Sequence, residues 1–177
     1  MDLLLYFLVI HIVFVPYIYW GLILLVNYGP KFIDNKFFES INLPINVGFI
    51  ALLFYTLYYI YLGDYPIALS YDLILIGITM HANYTYQNVG PDSAWKHVLL
   101  SQIIGWCLQV IVGHQIVEKR KPALLDSLFD SIIMAPLFTW YEVLFMLGYR
   151  KEFKKELDEE IHKKLNILAS GKHLKRA

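Results

Sequence analysis

Apolar residues run almost unbroken from Leu3 to Val26, from Pro44 to Leu62, from Ile67 to about Met80 and from Val98 to Val117. A helix closes its backbone hydrogen bonds within itself, so each run predicts a helix able to enter a bilayer. The third run is short: it crosses thinned bilayer, continues through Tyr84 or re-enters the face it came from. A fifth run, Leu128 to Leu147, carries Asp130, Glu142 and a central Pro136. The proline lacks an N–H and predicts a kink or break. Helix breakers separate the runs at Asn27-Tyr28-Gly29-Pro30, Gly63-Asp64-Tyr65-Pro66, Asn88-Val89-Gly90-Pro91-Asp92 and Lys121-Pro122. From Arg150 to about Leu168, Phe153, Leu157, Ile161 and Leu165 recur every fourth residue among charges, which predicts an amphipathic helix. Its apolar stripe would rest on the membrane surface, on the bundle or on a partner. The pattern therefore predicts an all-α, polytopic membrane helix bundle of about four spans, with a Pro-broken fifth segment and an amphipathic C-terminal helix. Residues 1–149 would form the membrane domain and 150–177 a basic cytosolic tail.

Composition strengthens the membrane reading. Of 177 residues, 58% are hydrophobic and only 17% charged, too little charge for an ordinary soluble domain. The N-terminal run starts with Asp2 and lacks a basic leader and a small-residue cleavage site, so it reads as a retained segment. Formal charge is zero, yet of fifteen Lys and Arg, nine follow Gly148 and three form Lys119-Arg120-Lys121. The positive-inside rule places both clusters, and both termini, in the cytosol. Four spans satisfy this, provided that the fifth segment enters and leaves on one face, with Pro136 as the turn. The sequon Asn83-Tyr84-Thr85 would then face the lumen, close to the membrane. A single cysteine, Cys107, excludes an internal disulfide and offers no metal-thiolate pattern. Membrane lipid is the expected surrounding, and no nucleic-acid partner is expected.

Ionisable residues within spans are costly and mark candidate sites. At a rise of about 1.5 Å per residue, His11 lies roughly 12 Å from the start of the first run, Asp72 roughly 8 Å into the third and His114 roughly 5 Å before the end of the fourth. All three depths count from the same face, and Glu118, Asp130 and Glu142 would share that half. His81 and His97 fall at the opposite ends of their runs. His114 and Glu118 stand at i and i+4 on one helix face, and imidazole with carboxylate suits non-haem iron; a capped helix end is the plainer alternative. Lys119-Arg120-Lys121 reads first as an interfacial anchor, and Arg120 and Lys121 could also hold a substrate carboxylate.

The stretch Gly105 to Tyr149, with Gly105-Trp106, Gln109, Gly113-His114, Glu118-Lys119-Arg120, Pro122-Ala123-Leu124, Ala135-Pro136, Glu142 and Leu147-Gly148-Tyr149, resembles the family of small endoplasmic-reticulum membrane proteins built around the yeast 2-hydroxy-fatty-acid dioxygenase. Ile10 to Pro16, IHIVFVP, is similar to that family's first-helix histidine segment. The resemblance implies Fe(II)-dependent alpha-oxidation in sphingoid-base breakdown, with molecular oxygen and a 2-hydroxy fatty acid as reactants and an acid one carbon shorter as product. It implies His11 and His114 as iron ligands, which with Glu118 make the expected metal set; Asp72 and Glu142 are further polar candidates. Family members usually carry a His-x-Pro-x-Asn segment before the first-helix histidine, and MDLLLYFLVI lacks it. Two expectations follow: a start upstream of Met1, or a catalytically impaired, lipid-binding or scaffolding relative.

Overall fold

The computed structural model describes residues 2–110 and 128–169. It is helical nearly throughout: α1 (Asp2–Val26), α2 (Lys36–Ser40), α3 (Val47–Tyr61), α4 (Tyr65–Val89), α5 (Pro91–Trp106), α6 (Leu128–Met146) and α7 (Lys151–Ala169), with a small antiparallel pair of strands, β1 (Lys31–Ile33) and β2 (Ile45–Asn46). The chain divides into two units, Met1–Trp140 and Tyr141–Ala177. That boundary falls inside α6.

Cross-helix contacts fix the directions in the first unit. Tyr19 pairs with Thr79 at 3.3 Å and Trp20 with His81 at 3.0 Å, so the numbers rise together and α1 runs parallel to α4. The Gln102 amide donates to the Ile18 carbonyl at 3.1 Å while Tyr28 donates to the Pro91 carbonyl at 2.6 Å, so α5 is antiparallel to α1. Thr56 donates to Asp72 at 3.2 Å across the hairpin of α3 and α4. One end of this bundle therefore carries the start of α1, the turn at Gly63 and the end of α5. The other carries residues 27–46 and the turn at Gly90. Both turns need glycine, since φ is +88° at Gly63 and +71° at Gly90.

Small residues let α1 and α5 approach closely. A Cβ on Gly21 would overlap the Ser101 hydroxyl, and one on Gly105 would overlap Ile18. Small residues at a crossing let two helix backbones pack closely. Segment 27–46 is tied down by asparagine: Asn27 Nδ2 donates to the Ile23 carbonyl at 2.9 Å, and Asn46 Nδ2 donates to Asn27 Oδ1 at 2.9 Å. The same Asn46 accepts from the Phe49 N–H at 3.1 Å and so caps α3.

Of the alternatives for the short third run, continuation through Tyr84 holds: it belongs to a 25-residue helix, α4, that runs on through His81 and Tyr84 to Val89. Polar residues did not stop it because Thr85 Oγ1 and Asn88 Nδ2 donate back to its own carbonyls at 2.8 and 2.7 Å. The second run spends Ile45–Asn46 in β2, leaving 15 residues to α3. The fifth run is not broken at Pro136: α6 passes through it as one helix. Its physical reason is on α3. Pro136 cannot bond the Ile132 carbonyl, and Tyr55 Oη donates to that carbonyl at 3.2 Å. Tyr59 Oη donates to the next, Ile133, at 2.8 Å. Neighbouring helices commonly re-satisfy a proline's freed carbonyls in this way.

The interruption comes later. Tyr149 N–H bonds the Leu144 carbonyl at 2.9 Å and Gly148 N–H the Phe145 carbonyl at 3.0 Å, with Gly148 at φ +82°. This is the Schellman end of α6. In the second unit α7 carries ion pairs Lys154–Asp158 and Lys163–Glu160, both at 2.6 Å. Lys163 holds the Glu160 carboxyl below its usual value, and is itself raised by it. The helix is present where the four-residue spacing predicted one, and its stripe residues Phe153, Leu157, Ile161 and Leu165 are all exposed.

Among the described residues, Leu8–Val26 and Tyr65–Val89 are long and apolar enough to cross a membrane, and Ile132–Met146 with Lys151–Ile167 qualifies only as a pair. Large side chains point outward without a protein partner, among them Leu57 at 65% exposure, Leu73 at 72% and Ile103 at 60%. This surface is compatible with a membrane protein.

Candidate functional site

A chain of aromatic rings lines the interior. Tyr19 meets Tyr55 edge-on at 5.4 Å, Tyr55 meets Tyr59 at 5.7 Å, Tyr59 meets Tyr71 at 6.1 Å and Tyr71 meets Trp140 at 5.9 Å. Trp140 Nε1 donates to Ser70 Oγ at 2.9 Å, which anchors the last ring.

Asp72 lies within this interior. It is 4% exposed, takes one hydrogen bond from Thr56 through Oδ1, and has no partner for Oδ2. A buried carboxylate oxygen without a donor is costly, so this atom marks a place where a proton, a cation or a polar ligand would be stabilised. A second such atom is Gln109 Nε2, in a residue 8% exposed. Gln109 belongs to a π-helical turn, residues 107–110, that ends the described part of α5. Turns of this kind re-aim side chains and recur at functional sites.

Counting from contacts of known level brings three residues to one end of the bundle. His11 precedes Tyr19 by eight residues, about 12 Å, and Asp72 precedes Thr79 by seven, about 10 Å. Gln109 follows Gly105, which packs on Ile18, by four. All three displacements point toward the end carrying the start of α1. His11 is half-buried and shares a stripe with Val15 and Ile18, at spacings of four and seven that place it on the α5-facing side. His11 also has an interaction partner in the fold.

His114, Glu118, Arg120 and Lys121 lie outside the described residues. Glu142 is half-buried and belongs to the second unit. Among the described residues no cluster of three or more His, Cys, Asp or Glu is close enough to hold a metal. Imidazole and a carboxylate with an unpartnered oxygen are ligand types that suit ferrous iron, whereas the unpartnered atom of Gln109 is an amide N–H donor, which suits a carboxylate or hydroxyl oxygen instead of a cation. His81 and His97 are accounted for elsewhere, on Trp20 and on the Ser93 carbonyl. Depth along the spans had separated them from His11. Gln109 stands in the family-like stretch by sequence, but that its amide is buried without a partner needed the fold.

The chain matches the model of the Mpo1-like family, described as 2-hydroxy-palmitic acid dioxygenase Mpo1-like, over residues 3–147. It belongs to that family. It is also 31% identical over 153 residues to the 2-hydroxy-palmitic acid dioxygenase MPO1 of Saccharomyces cerevisiae, covering 86% of this chain and 78% of the yeast protein. No solved structure matches. The family match spans α1 to α6 and ends just before Gly148, so the unpaired oxygen of Asp72 and the π-turn both lie within the matched stretch.

Proposed function

We propose that this chain is an Fe(II)-dependent dioxygenase of the endoplasmic-reticulum membrane that shortens 2-hydroxy fatty acids by one carbon. The observation that carries the reading is similarity over most of the chain to a protein named for 2-hydroxy-palmitic acid oxidation. The unsatisfied Asp72 and Gln109 at the His11 end support a polar centre in an otherwise apolar bundle.

In this reading His11, His114 and Glu118 hold the iron and Asp72 offers a further carboxylate, while Glu142 stays a separate polar candidate. When bound, the ion would supply Lewis acidity and a seat for oxygen. The reaction balances without a co-reductant. The bond between the first two substrate carbons breaks, molecular oxygen takes the electrons, and a shorter acid, carbon dioxide and water leave. Arg120 and Lys121 attract the substrate carboxylate from the cytosolic interface, and the aromatic interior keeps water from the reacting carbons. The two helices of sufficient length, with α3 and α5 running opposite to them, and the basic residues before and after α6 in sequence support a multi-pass arrangement with cytosolic termini.

The test is iron content and turnover of purified protein given 2-hydroxypalmitate, with His11→Ala and His114→Ala beside it. Bound iron, carbon dioxide and the odd-chain acid are expected from the unaltered chain, and each histidine variant should lose iron and product together. Iron-free, inactive protein under the same conditions would leave a lipid-binding or scaffolding relative as the better reading.

A further inference from the structure

The two unpartnered atoms toward the His11 end are of opposite kinds. Gln109 Nε2 is an amide donor and Asp72 Oδ2 a carboxylate acceptor, both in side chains more than nine-tenths buried. Each costs free energy when left unpaired in an apolar interior. A neighbour shows how this bundle ordinarily closes such groups. Gln102 Nε2 donates to the Ile18 carbonyl at 3.1 Å, while its Oε1 accepts from Trp106 Nε1 at 3.1 Å. Ser101 and Thr79 return their hydroxyls to carbonyls of their own helices at 2.8 Å. Gln109 and Asp72 depart from that pattern.

Both side chains lie on inward faces. Gln109 continues the buried stripe of Ala94, Val98, Ser101 and Gly105, whose last two members meet Gly21 and Ile18 of α1. The opposite face of α5, with Leu99, Ile103 and Cys107, is exposed. Asp72 shares the buried stripe of Ala68, Leu75 and Thr79, and Leu73 and Gly77 lie on the exposed side. Their levels agree as well. Gln109 lies about 6 Å beyond the Gly105–Ile18 contact and Asp72 about 10 Å beyond the Thr79–Tyr19 contact. Allowing for the one-residue offset of Ile18 from Tyr19, the two differ in level by about 3 Å, less than a helix turn.

Donor and acceptor would close each other by direct contact, yet neither has a partner. A group that accepts from Gln109 and donates to Asp72 closes both, and an alcohol does so through one oxygen. A carboxylate does not, because it only accepts and is repelled by a second carboxylate. We infer that Gln109 and Asp72 form the subsite for the 2-hydroxyl of the substrate, with Gln109 Nε2 donating to the hydroxyl oxygen and the hydroxyl donating to Asp72 Oδ2. The inference rests on the dioxygenase reading and adds to it the residues that tell a 2-hydroxy acid from an ordinary fatty acid. It leaves the substrate carboxylate to Arg120 and Lys121. An ionised carboxylate has about four lone-pair sites, so a hydroxyl and a cation can share Asp72.

The test measures binding and needs neither iron nor turnover. Metal-free protein in phosphatidylcholine nanodiscs is dialysed against radiolabelled 2-hydroxypalmitate or palmitate, with empty discs as the blank. The parent should bind the hydroxylated acid about tenfold more tightly. Gln109→Met, of similar size, and Gln109→Glu, which exchanges the donor for an acceptor, should each weaken 2-hydroxypalmitate by about tenfold and leave palmitate unchanged. A parent that binds the two acids equally, or a preference that survives both substitutions, would overturn the subsite. Loss of both acids from both variants would overturn it too, because the amide would then be holding the fold and not the hydroxyl. A preference that follows Gln109 in a protein inactive with iron upholds the subsite and refutes the reaction; turnover in a protein that fails the binding test does the reverse.

Discussion

Tyr55 and Tyr59 spend their hydroxyls on the carbonyls of Ile132 and Ile133, and this explains why Pro136 leaves α6 intact. Removing one donor should cost about 1–3 kcal/mol, because a buried carbonyl is left unpaired. The pair is separable by a cycle: in a Pro136→Ala background the backbone again supplies an N–H to Ile132, so Tyr55→Phe should cost clearly less than in the parent, as read by unfolding in detergent. Equal costs in both backgrounds would show that the hydroxyl does not serve the proline. Thr56 presents a related case at Asp72. Partners that orient a metal-binding carboxylate are commonly worth about tenfold or more in metal affinity. On the proposed reading with Asp72 as a further ligand, Thr56→Val should weaken iron binding by about that factor in a chelator competition, and unchanged affinity would leave Asp72 outside the iron site. The sequence exposed Asp72 as a charge in an apolar run, but the partner on α3 and the free Oδ2 needed the fold, since neither is a property of spacing.

Among the elements, α1 and α5 are the most tightly matched pair, with Gly21 and Gly105 where the helices meet. Gly105→Leu would drive a side chain into Ile18, and overpacking of this kind costs about 1–3 kcal/mol; thermal unfolding should fall accordingly, while Gly77→Leu should leave it nearly unchanged. Helix positions for α1, α3 and α4 were legible because apolar runs of that length have few other solutions. The ends were less so. Asn88 and Thr85 look like loop formers by composition, and only their bonds back to α4 carbonyls explain why the helix runs on to Val89. Pro136 misled for the opposite reason: its remedy sits on a helix far away in sequence.

At the scale of the molecule, alternating helix directions put His11, Asp72 and Gln109 toward one end; counting depth along each run put His11 and Asp72 at the same face, while Gln109 needed the fold. His114, Glu118, Arg120 and Lys121 rest on sequence and family resemblance alone. The arrangement also bears on the sequon at Asn83. Its side chain is 1% exposed and donates to the Asn42 carbonyl at 2.9 Å, so it is closed to a modifying enzyme on whichever side it lies. Asn83 should remain unglycosylated in a eukaryotic membrane preparation, with no mobility change on glycosidase treatment; a shift would mean that α4 opens there.

The tyrosine donors to α6 also carry a timing. They precede the carbonyls they serve by 77 and 74 positions, so a growing chain makes the remedy long before the defect. α6 would then form with a flaw that an already folded α3 is placed to mend, which makes the pairing a checkpoint for assembly. Cells making a Tyr55→Phe, Tyr59→Phe chain should clear it faster than the parent in a pulse-chase measurement, and Pro136→Ala should restore part of its lifetime.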